Sequence, residues 1–481
     1  MHFDNTYAHL PERFFARQEP TPVAAPSLVA WNAPLASRLG FDASERSSDQ
    51  LASVWSGNQL LEGAEPIAMA YAGHQFGGFV PQLGDGRALL LGEVVDAQGL
   101  RWDVQLKGSG RTPFSRGGDG RAALGPVLRE YLISEFMHAL GIPTTRALAA
   151  VTTGEPVIRD EVLPGAVLTR VARSHVRVGT FQYFAARGDT EALQTLTDYL
   201  VDRHGLEPTP SAAAALLQHA IDAQARLVAR WAGVGFIHGV MNTDNTSVIG
   251  ETIDFGPCAF MDVYDPDTVF SSIDHHGRYA YANQPGIAQW NLARLAECLL
   301  PLLDSDPNQA LERAKQAIGE FEPQFQRCWL HEFGAKLGLS EVRDSDAGLI
   351  QGFLDLLARA KADFSLSFRT LCDAADGKLT ALQAVLGDVR GYGDWLQLWQ
   401  RRLQAEADGA GARMRQVNPW ILPRNHQVEA VLNAAVAEGD FEPFERFHTS
   451  LADPFSERAD AESYAQAPPT GMPRYQTFCG T

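Results

Sequence analysis

Residues 236–262 read FIHGVMNTDNTSVIGETIDFGPCAFMD. Short apolar runs flank two polar stretches, which predicts loop, short strand, turn and short strand. Asn245 stands seven residues after His238, and Asp254 opens an Asp254-Phe255-Gly256 tripeptide nine residues further on. The tripeptide alone is a weak signal, since a strand-to-turn junction of that composition arises by chance. Its spacing from His238 and Asn245 gives it weight. A carboxylate and an amide carbonyl brought together across a short hairpin are the oxygen ligands that a hard divalent cation prefers.

Upstream, ALLLGEVV (88–95) and RWDVQLK (101–107) read as two strands around the Gly-containing turn DAQG. Lys107 ends the second strand. The loop GRTPFSRGGDGRA follows, with no apolar period. Leu128, Leu132, Phe136 and Leu140 then recur at helical spacing, and Gly141 with Pro143 closes that helix. Glu130 lies inside it. Three further strands are expected over residues 144–180, then helices from about residue 190, including DTEALQTLTDYLVDRHG and PSAAAALLQHAIDAQARLVARWAGVG. Residues 287–481 read as mostly helical with a Pro-rich tail. Near the N-terminus, SLVAWNAPLASRLGF (27–41) is expected to be the first helix.

The order strand lysine, helix glutamate, His-x6-Asn, Asp-Phe-Gly is that of a protein kinase, where the lysine steadies phosphates and Asn and Asp hold magnesium. The fold expected is therefore α+β: a kinase-like pair of lobes with an additional helical region. The boundaries are an N-terminal extension (1–60), a β-rich N-lobe (61–188), a helical C-lobe (189–330) and a C-terminal helical region with its tail (331–481). One position departs from the kinase pattern. Two residues after the histidine a kinase has the aspartate that takes the hydroxyl proton; here Val240 stands there, and a carboxylate sits instead at Asp244. Either the chain is inactive, or its base has moved because a different phosphorus reacts. The glycine loop is also unusual: Gly84-Asp85-Gly86-Arg87 would bring backbone close to phosphate. Arg111, Arg116, Arg121, Arg170, Arg173 and Arg177 suggest a polyanionic ligand such as a triphosphate.

The 481 residues, 45% of them hydrophobic, suffice for two or three lobes with large cores. A net charge of −18 argues against nucleic acid as the partner, because duplex binding rests on a basic face. Five widely spaced cysteines offer no zinc spacing and suit a reducing compartment. No stretch reaches the roughly 18 apolar residues of a membrane helix, and the N-terminus has no signal-peptide core. A cytoplasmic monomer with no membrane partner is expected.

GHQFGGFVPQLGDGRA, QLKGSGRTPFSRGGDGRA, HGVMNTDN, DFGPCAFMD, DHHGRYAYANQP and a cysteine third from the end together resemble the SelO (selenoprotein O) pseudokinases over nearly the whole chain. The resemblance implies transfer of AMP from ATP to Ser, Thr or Tyr hydroxyls of acceptor proteins, with Mg2+ or Mn2+, and use of UTP by some members. It implies that ATP lies reversed relative to a kinase, its α-phosphate facing the acceptor. By match to the motifs, Gly84, Gly86, Arg87, Lys107, Asp119, Gly120, Arg170, Arg177 and Asp254 would contact nucleotide, with Lys107, Arg170 and Arg177 on the γ-phosphate. Asn245 and Asp254 would hold metal, Asp244 would be the proton acceptor, and Glu130 would orient Lys107. Cys479 stands where animal members carry selenocysteine. Bacterial relatives are implied to pair that residue with a cysteine after Asp-Phe-Gly. Here Phe270 stands about there and Cys258 lies close to the tripeptide, so the pairing is not expected to carry over. Two alternatives stay open: a non-catalytic ATP-binding scaffold, and a kinase with a displaced base.

Overall fold

The longer strands form on apolar runs such as ALLLGEVV and on the alternating RWDVQLK. In a computed structural model, which describes residues 1–469, 471, 472 and 475–477, the chain is a mixed α+β protein with one large antiparallel sheet and many helices. Its strands are β1 (Phe15–Arg17), β2 (Ser27–Trp31), β3 (Ile67–Met69), β4 (Gly73–Gln75), β5 (Gly78–Val80), β6 (Ala88–Val95), β7 (Arg101–Lys107), β8 (Ala122–Ala123), β9 (Arg146–Ile158), β10 (Val162–Ala172), β11 (Phe236–Ile237) and β12 (Ala259–Phe260). The large sheet runs β1-β3-β6-β7-β10-β9-β2, with β8 paired to β10. β4–β5 and β11–β12 are separate two-stranded pairs.

β7 shows why the sheet can carry a site. Trp102, Val104 and Leu106 point to one face and pack with Leu35, Leu51 and Trp55. Asp103, Gln105 and Lys107 therefore point to the other, because successive side chains alternate. Lys107 pairs with Ala88 on β6 and Leu168 on β10, and Gln105 faces Arg170.

The first nine helices are α1 (Ala33–Arg38), α2 (Ser48–Trp55), α3 (Leu124–Ala139), α4 (Val178–Ala185), α5 (Thr190–Arg203), α6 (Ala212–Gly233), α7 (Gln284–Leu303), α8 (Pro307–Gly319) and α9 (Phe321–Lys336). Further helices fill residues 347–465. α3 is buried nearly all round and lies against β9 and β10. α6 is the hub of the helical part, packed against α5, α7 and α9. The main core joins Leu132, Phe136, Phe181, Leu217, Phe236 and Phe255. A second core, around Phe353, Phe368 and Trp399, belongs to the C-terminal helices.

One expectation is corrected. SLVAWNAPLASRLGF is not a single helix: Ser27–Trp31 is an edge strand on β9, and only Ala33–Arg38 is helical. Pro34 fits the first helical turn but prevents the helix from extending upstream. Asn32 caps that turn, its side chain accepting from the Leu35 N–H at 3.1 Å. The helix α4 begins at the end of the region expected to be strands, its first three residues lying within 144–180. The hairpin β6–β7 and the helix at 124 stand where the sequence pattern puts them, whereas the three strands expected over 144–180 are two long ones, β9 and β10, with a turn at 159–161 inside PVIRDEV. Cys479 lies outside the described residues. No helix among the described residues is long and apolar enough to cross a membrane.

Candidate active site

Lys107, at the end of β7, donates to Glu130 Oε2 at 2.6 Å and to Asp254 Oδ1 at 2.9 Å. Arg170, on β10, reaches the same two carboxylates at 3.2 and 2.7 Å, and its other nitrogens meet Gln105 Oε1. Arg177, just before α4, donates to Asp254 Oδ2 at 3.1 Å and to the Asp244 backbone carbonyl at 3.0 Å. Its guanidinium also lies 4.6 Å from the centre of the Tyr71 ring. Three cations thus surround two carboxylates. Burial pushes the Asp254 carboxyl up, but Lys107, Arg170 and Arg177 together hold it well below the usual carboxylate range. Asp254 has φ +61°, a conformation unusual for a non-glycine residue. The surrounding ion pairs hold it there.

His238 does not face this cluster. It is buried, and its Nε2 lies 2.9 Å from the Ile253 carbonyl, joining the 238–245 loop to the strand-like residues before Asp254. Val240 is buried, and its carbonyl accepts from Asn245 Nδ2 at 3.1 Å. That bond commits the amide nitrogen and leaves the Asn245 carbonyl oxygen for another partner. The Asp244 carboxylate is buried. Gln75 donates to its Oδ2 at 3.3 Å, while Oδ1 has no hydrogen-bond partner among the described residues. Burial raises its carboxyl to about 6, opposed by Gln75 and Arg177. Such a group is ionised at neutral pH and still basic enough to accept a proton.

The glycine-containing segments close the other side. Gly84 (φ +69°) and Gly86 lie against Phe114, where an added Cβ would fall within 3 Å of that residue's ring or carbonyl. Asp85, between them, is buried. It accepts from the Met69 N–H and from Gln105 at 3.2 Å each, and lies 3.9 Å from Arg177. It joins the loop to the cation cluster through Gln105, a link the sequence did not reveal. Arg87 is half-buried beside Gly86. Gly120 packs on the Gly110 backbone so closely that no side chain fits. Asp119 is gripped by Arg159 at 2.8 and 3.2 Å, and Arg159 also donates to the Arg121 carbonyl at 3.0 Å.

The structure therefore brings together Lys107, Glu130, Arg170, Arg177 and Asp254, with Asp244 and Asn245 attached through Arg177 and the short loop. Arg173 is elsewhere: it stacks on Trp102 and donates to the Arg101 carbonyl. Arg121 ties the chain to Thr21 and Pro22. Gln75, Asp85, Gln105 and Arg159 escaped the sequence reading. Asp85 alone had a signal, its place between two glycines.

This constellation sits in a chain whose residues 1–452 match the SelO family profile, described as protein adenylyltransferase SelO. The chain belongs to the SelO family. It is an enzyme of the nucleotidyltransferase class, and its substrates include a nucleotide. Among relatives named protein nucleotidyltransferase YdiU, that of Rhizobium etli (strain CIAT 652) is 57% identical, covering all of this chain and 97% of its own length. That of Bradyrhizobium sp. (strain ORS 278) is 58% identical with 99% of its length covered, and that of Agrobacterium fabrum 56% with full coverage.

The site's donors also suit a divalent cation. Asp254 offers a carboxylate whose two oxygens now accept from Lys107, Arg170 and Arg177, and Asn245 offers an amide oxygen. Among the described residues no set of three His, Cys, Asp or Glu side chains could enclose a metal. Two protein oxygens with the remainder from phosphate and water is the mode in which magnesium is commonly held.

Proposed function

We propose that the chain transfers AMP from ATP to Ser, Thr or Tyr hydroxyls of other proteins and releases pyrophosphate. In this reading residues 61–188 and 189–330 act as the β-rich and helical lobes of a kinase-like cleft, preceded by an extension (1–60) and followed by a helical region (331–481). One observation carries it: Val240 occupies the position of a kinase's base, while Asp244, whose buried Oδ1 has no hydrogen-bond partner among the described residues, lies beside Arg177.

A triphosphate entering tail first meets Lys107, Arg170 and Arg177, which exchange part of their contact with Glu130 and Asp254 for phosphate oxygens. Glu130 keeps Lys107 and Arg170 aligned. Gly84, Gly86, Arg87, Asp119 and Gly120 line the nucleotide, the glycines permitting close backbone approach. Magnesium or manganese, held by Asn245 and Asp254, supplies positive charge at the phosphates. The acceptor hydroxyl then gives its proton to Asp244 as its oxygen bonds to the α-phosphorus. The bond from that phosphorus to the bridging oxygen breaks, and pyrophosphate carries the negative charge into the cation cluster. Positioning and fixed charge do most of the work.

The test uses a mixed protein extract, Mg2+ or Mn2+, and ATP labelled at the α- or the γ-phosphate. Label from the α-position alone is expected. Label from γ alone would make the chain a kinase with a displaced base, and none from either a scaffold. α-Labelled UTP in a parallel arm reads whether uridylyl transfer occurs as well.

A further inference from the structure

The hairpin β4–β5 lies directly over the proposed base. Gly73 is so close that an added Cβ would fall 2.4 Å from Asp244 Oδ1. The hairpin is pinned to the 242–244 loop by its backbone: the His74 N–H donates to Thr243 Oγ1 at 2.6 Å and the Phe76 N–H to Asn242 Oδ1 at 3.0 Å. Its tip turns through Phe76 (φ +51°) and Gly77 (φ +87°). Phe76 and Phe79 are 37% and 41% exposed. Two large aromatic rings are thus held out to solvent by a segment that is itself tightly anchored.

Arg278 adjoins that tip. A Cβ on Gly77 would lie 3.8 Å from its guanidinium carbon. The guanidinium sits 5.7 Å from the Tyr279 ring centre and 4.9 Å from that of Trp290. Tyr279 in turn donates to Asn242 at 2.7 Å and packs edge-on to Phe76. Arg294, on the same Trp290 ring, is paired with Glu297 at 2.7 Å. Arg278 has no such acid within ion-pair distance among the described residues. The nearby Asp274 carboxylate instead accepts the backbone N–H groups of Arg278 and Tyr279, at 2.9 and 2.8 Å. The guanidinium is thus oriented by two aromatic faces beside the hairpin tip and is left without a carboxylate among the described residues, in a chain of net charge −18.

We infer that Phe76, Phe79 and Arg278 form the docking platform for the acceptor polypeptide, and that Arg278 selects segments carrying a carboxylate side chain two to four residues from the modified hydroxyl. The spacing follows from the hairpin. Gln75, which touches the Asp244 carboxylate, is two residues from Gly77 across a tight turn, and an extended acceptor segment spans a gap of that order, roughly 7 Å, in about two residues. The arginine fork pairs bidentately with a carboxylate, and the two rings offer apolar contact to the intervening residues. This inference rests on the proposed transfer to protein hydroxyls and adds the chemistry of the partner.

Binding alone can test it, without any transfer step. Fluorescence anisotropy on the full chain would compare a serine peptide bearing Glu at the third residue from the serine with its Gln and Lys counterparts. About tenfold tighter binding of the Glu peptide is expected. Arg278→Gln should remove that preference and Arg278→Glu should turn it toward the Lys peptide, with nucleotide affinity retained as the control for folding. Equal affinities, a preference that survives Arg278→Gln, or no binding by any peptide would overturn the inference. Failure of the AMP-transfer reading would look different: a Glu preference that depends on Arg278, with no label from α-labelled ATP on the same peptide.

Discussion

The polar face of β7 carries two buried ion clusters that differ in charge and access. At its end, Lys107 joins Arg170 and Arg177 around Glu130 and Asp254, and the Asp254 side chain keeps 20% of its surface open. Four residues earlier, Asp103 shares Arg203 with Glu93, at 2.6 and 3.0 Å, all three side chains almost fully enclosed. There the oxygens are saturated. Asp103 also accepts from the His175 backbone, and Glu93 from Thr6 and the Tyr7 N–H. The first cluster has cations in surplus and an opening; the second has acids filled by donors from the N-terminal segment, β7, α5 and the segment after β10. Phosphate oxygens can compete for the first set of cations. The second can only fasten the sheet to the helical part.

Asp254→Ala separates the two most sharply. Loss of the carboxylate proposed to hold the metal should lower the proposed AMP transfer at least 1,000-fold, about 4 kcal/mol. The cations remain, so ATP should still raise the melting temperature of the variant. Substantial residual transfer would remove Asp254 from the chemistry.

Arg203→Met is the opposite case. It leaves two enclosed carboxylates without their shared cation and should destabilise the chain by about 3 kcal/mol in urea unfolding. At temperatures where the variant is folded, nucleotide affinity should match the parent. If affinity falls with stability, the clusters are not independent and the contrast fails.

Lys107→Ala tests the first cluster from the cation side. Arg170 and Arg177 remain to hold phosphate, so a loss of about 100-fold in transfer is expected, near 2.7 kcal/mol. Asp254 also loses a partner, and burial should then lift its carboxyl toward the normal range.

These clusters were unequally legible in the sequence. Lys107, Glu130 and Asp254 were found because their order and spacing follow a pattern with a chemical reason; Asn245, picked by the same spacing, bonds to the Val240 carbonyl. The alternation Asp103, Gln105, Lys107 shows a polar face on β7, yet nothing local says that Arg203, a hundred residues later, will meet Asp103. Arg159 gripping Asp119 and Gly73 making room for Asp244 are likewise pairings between distant segments, which periodicity cannot register. One misread element, residues 27–31, failed locally: its apolar residues suit a helix or an edge strand equally well, and the decision lies in the sheet edge offered by β9 and in Pro34. Cys479, which the SelO resemblance singles out, falls outside the described residues.

A third buried charge in the C-terminal region sharpens the contrast by lacking both acid and ligand. Lys336, the last residue of α9, is 4% exposed, its ammonium 4.4 Å from the centre of the Phe368 ring and 5.8 Å from that of Phe364. Among the described residues no carboxylate lies within ion-pair distance of it. Burial lowers its pKa to about 7, with Cys372 and Glu332 acting weakly the other way. An unfolded lysine titrates near 10.4, so between about pH 7 and 10.4 the unfolded chain binds more protons than the folded one, and stability rises with pH across that window. Lys336→Met removes this dependence. A folded value of about 7 against the ordinary 10.4 is worth about 4 kcal/mol, so the variant should be more stable by about that much at pH 7. The gap should close as the pH approaches 10.4. Urea unfolding at pH 7, 8.5 and 10 measures it. A variant less stable than the parent at pH 7 would mean that the two rings hold the ammonium as firmly as a carboxylate would, and that an acid-free buried cation needs no ligand to be tolerated.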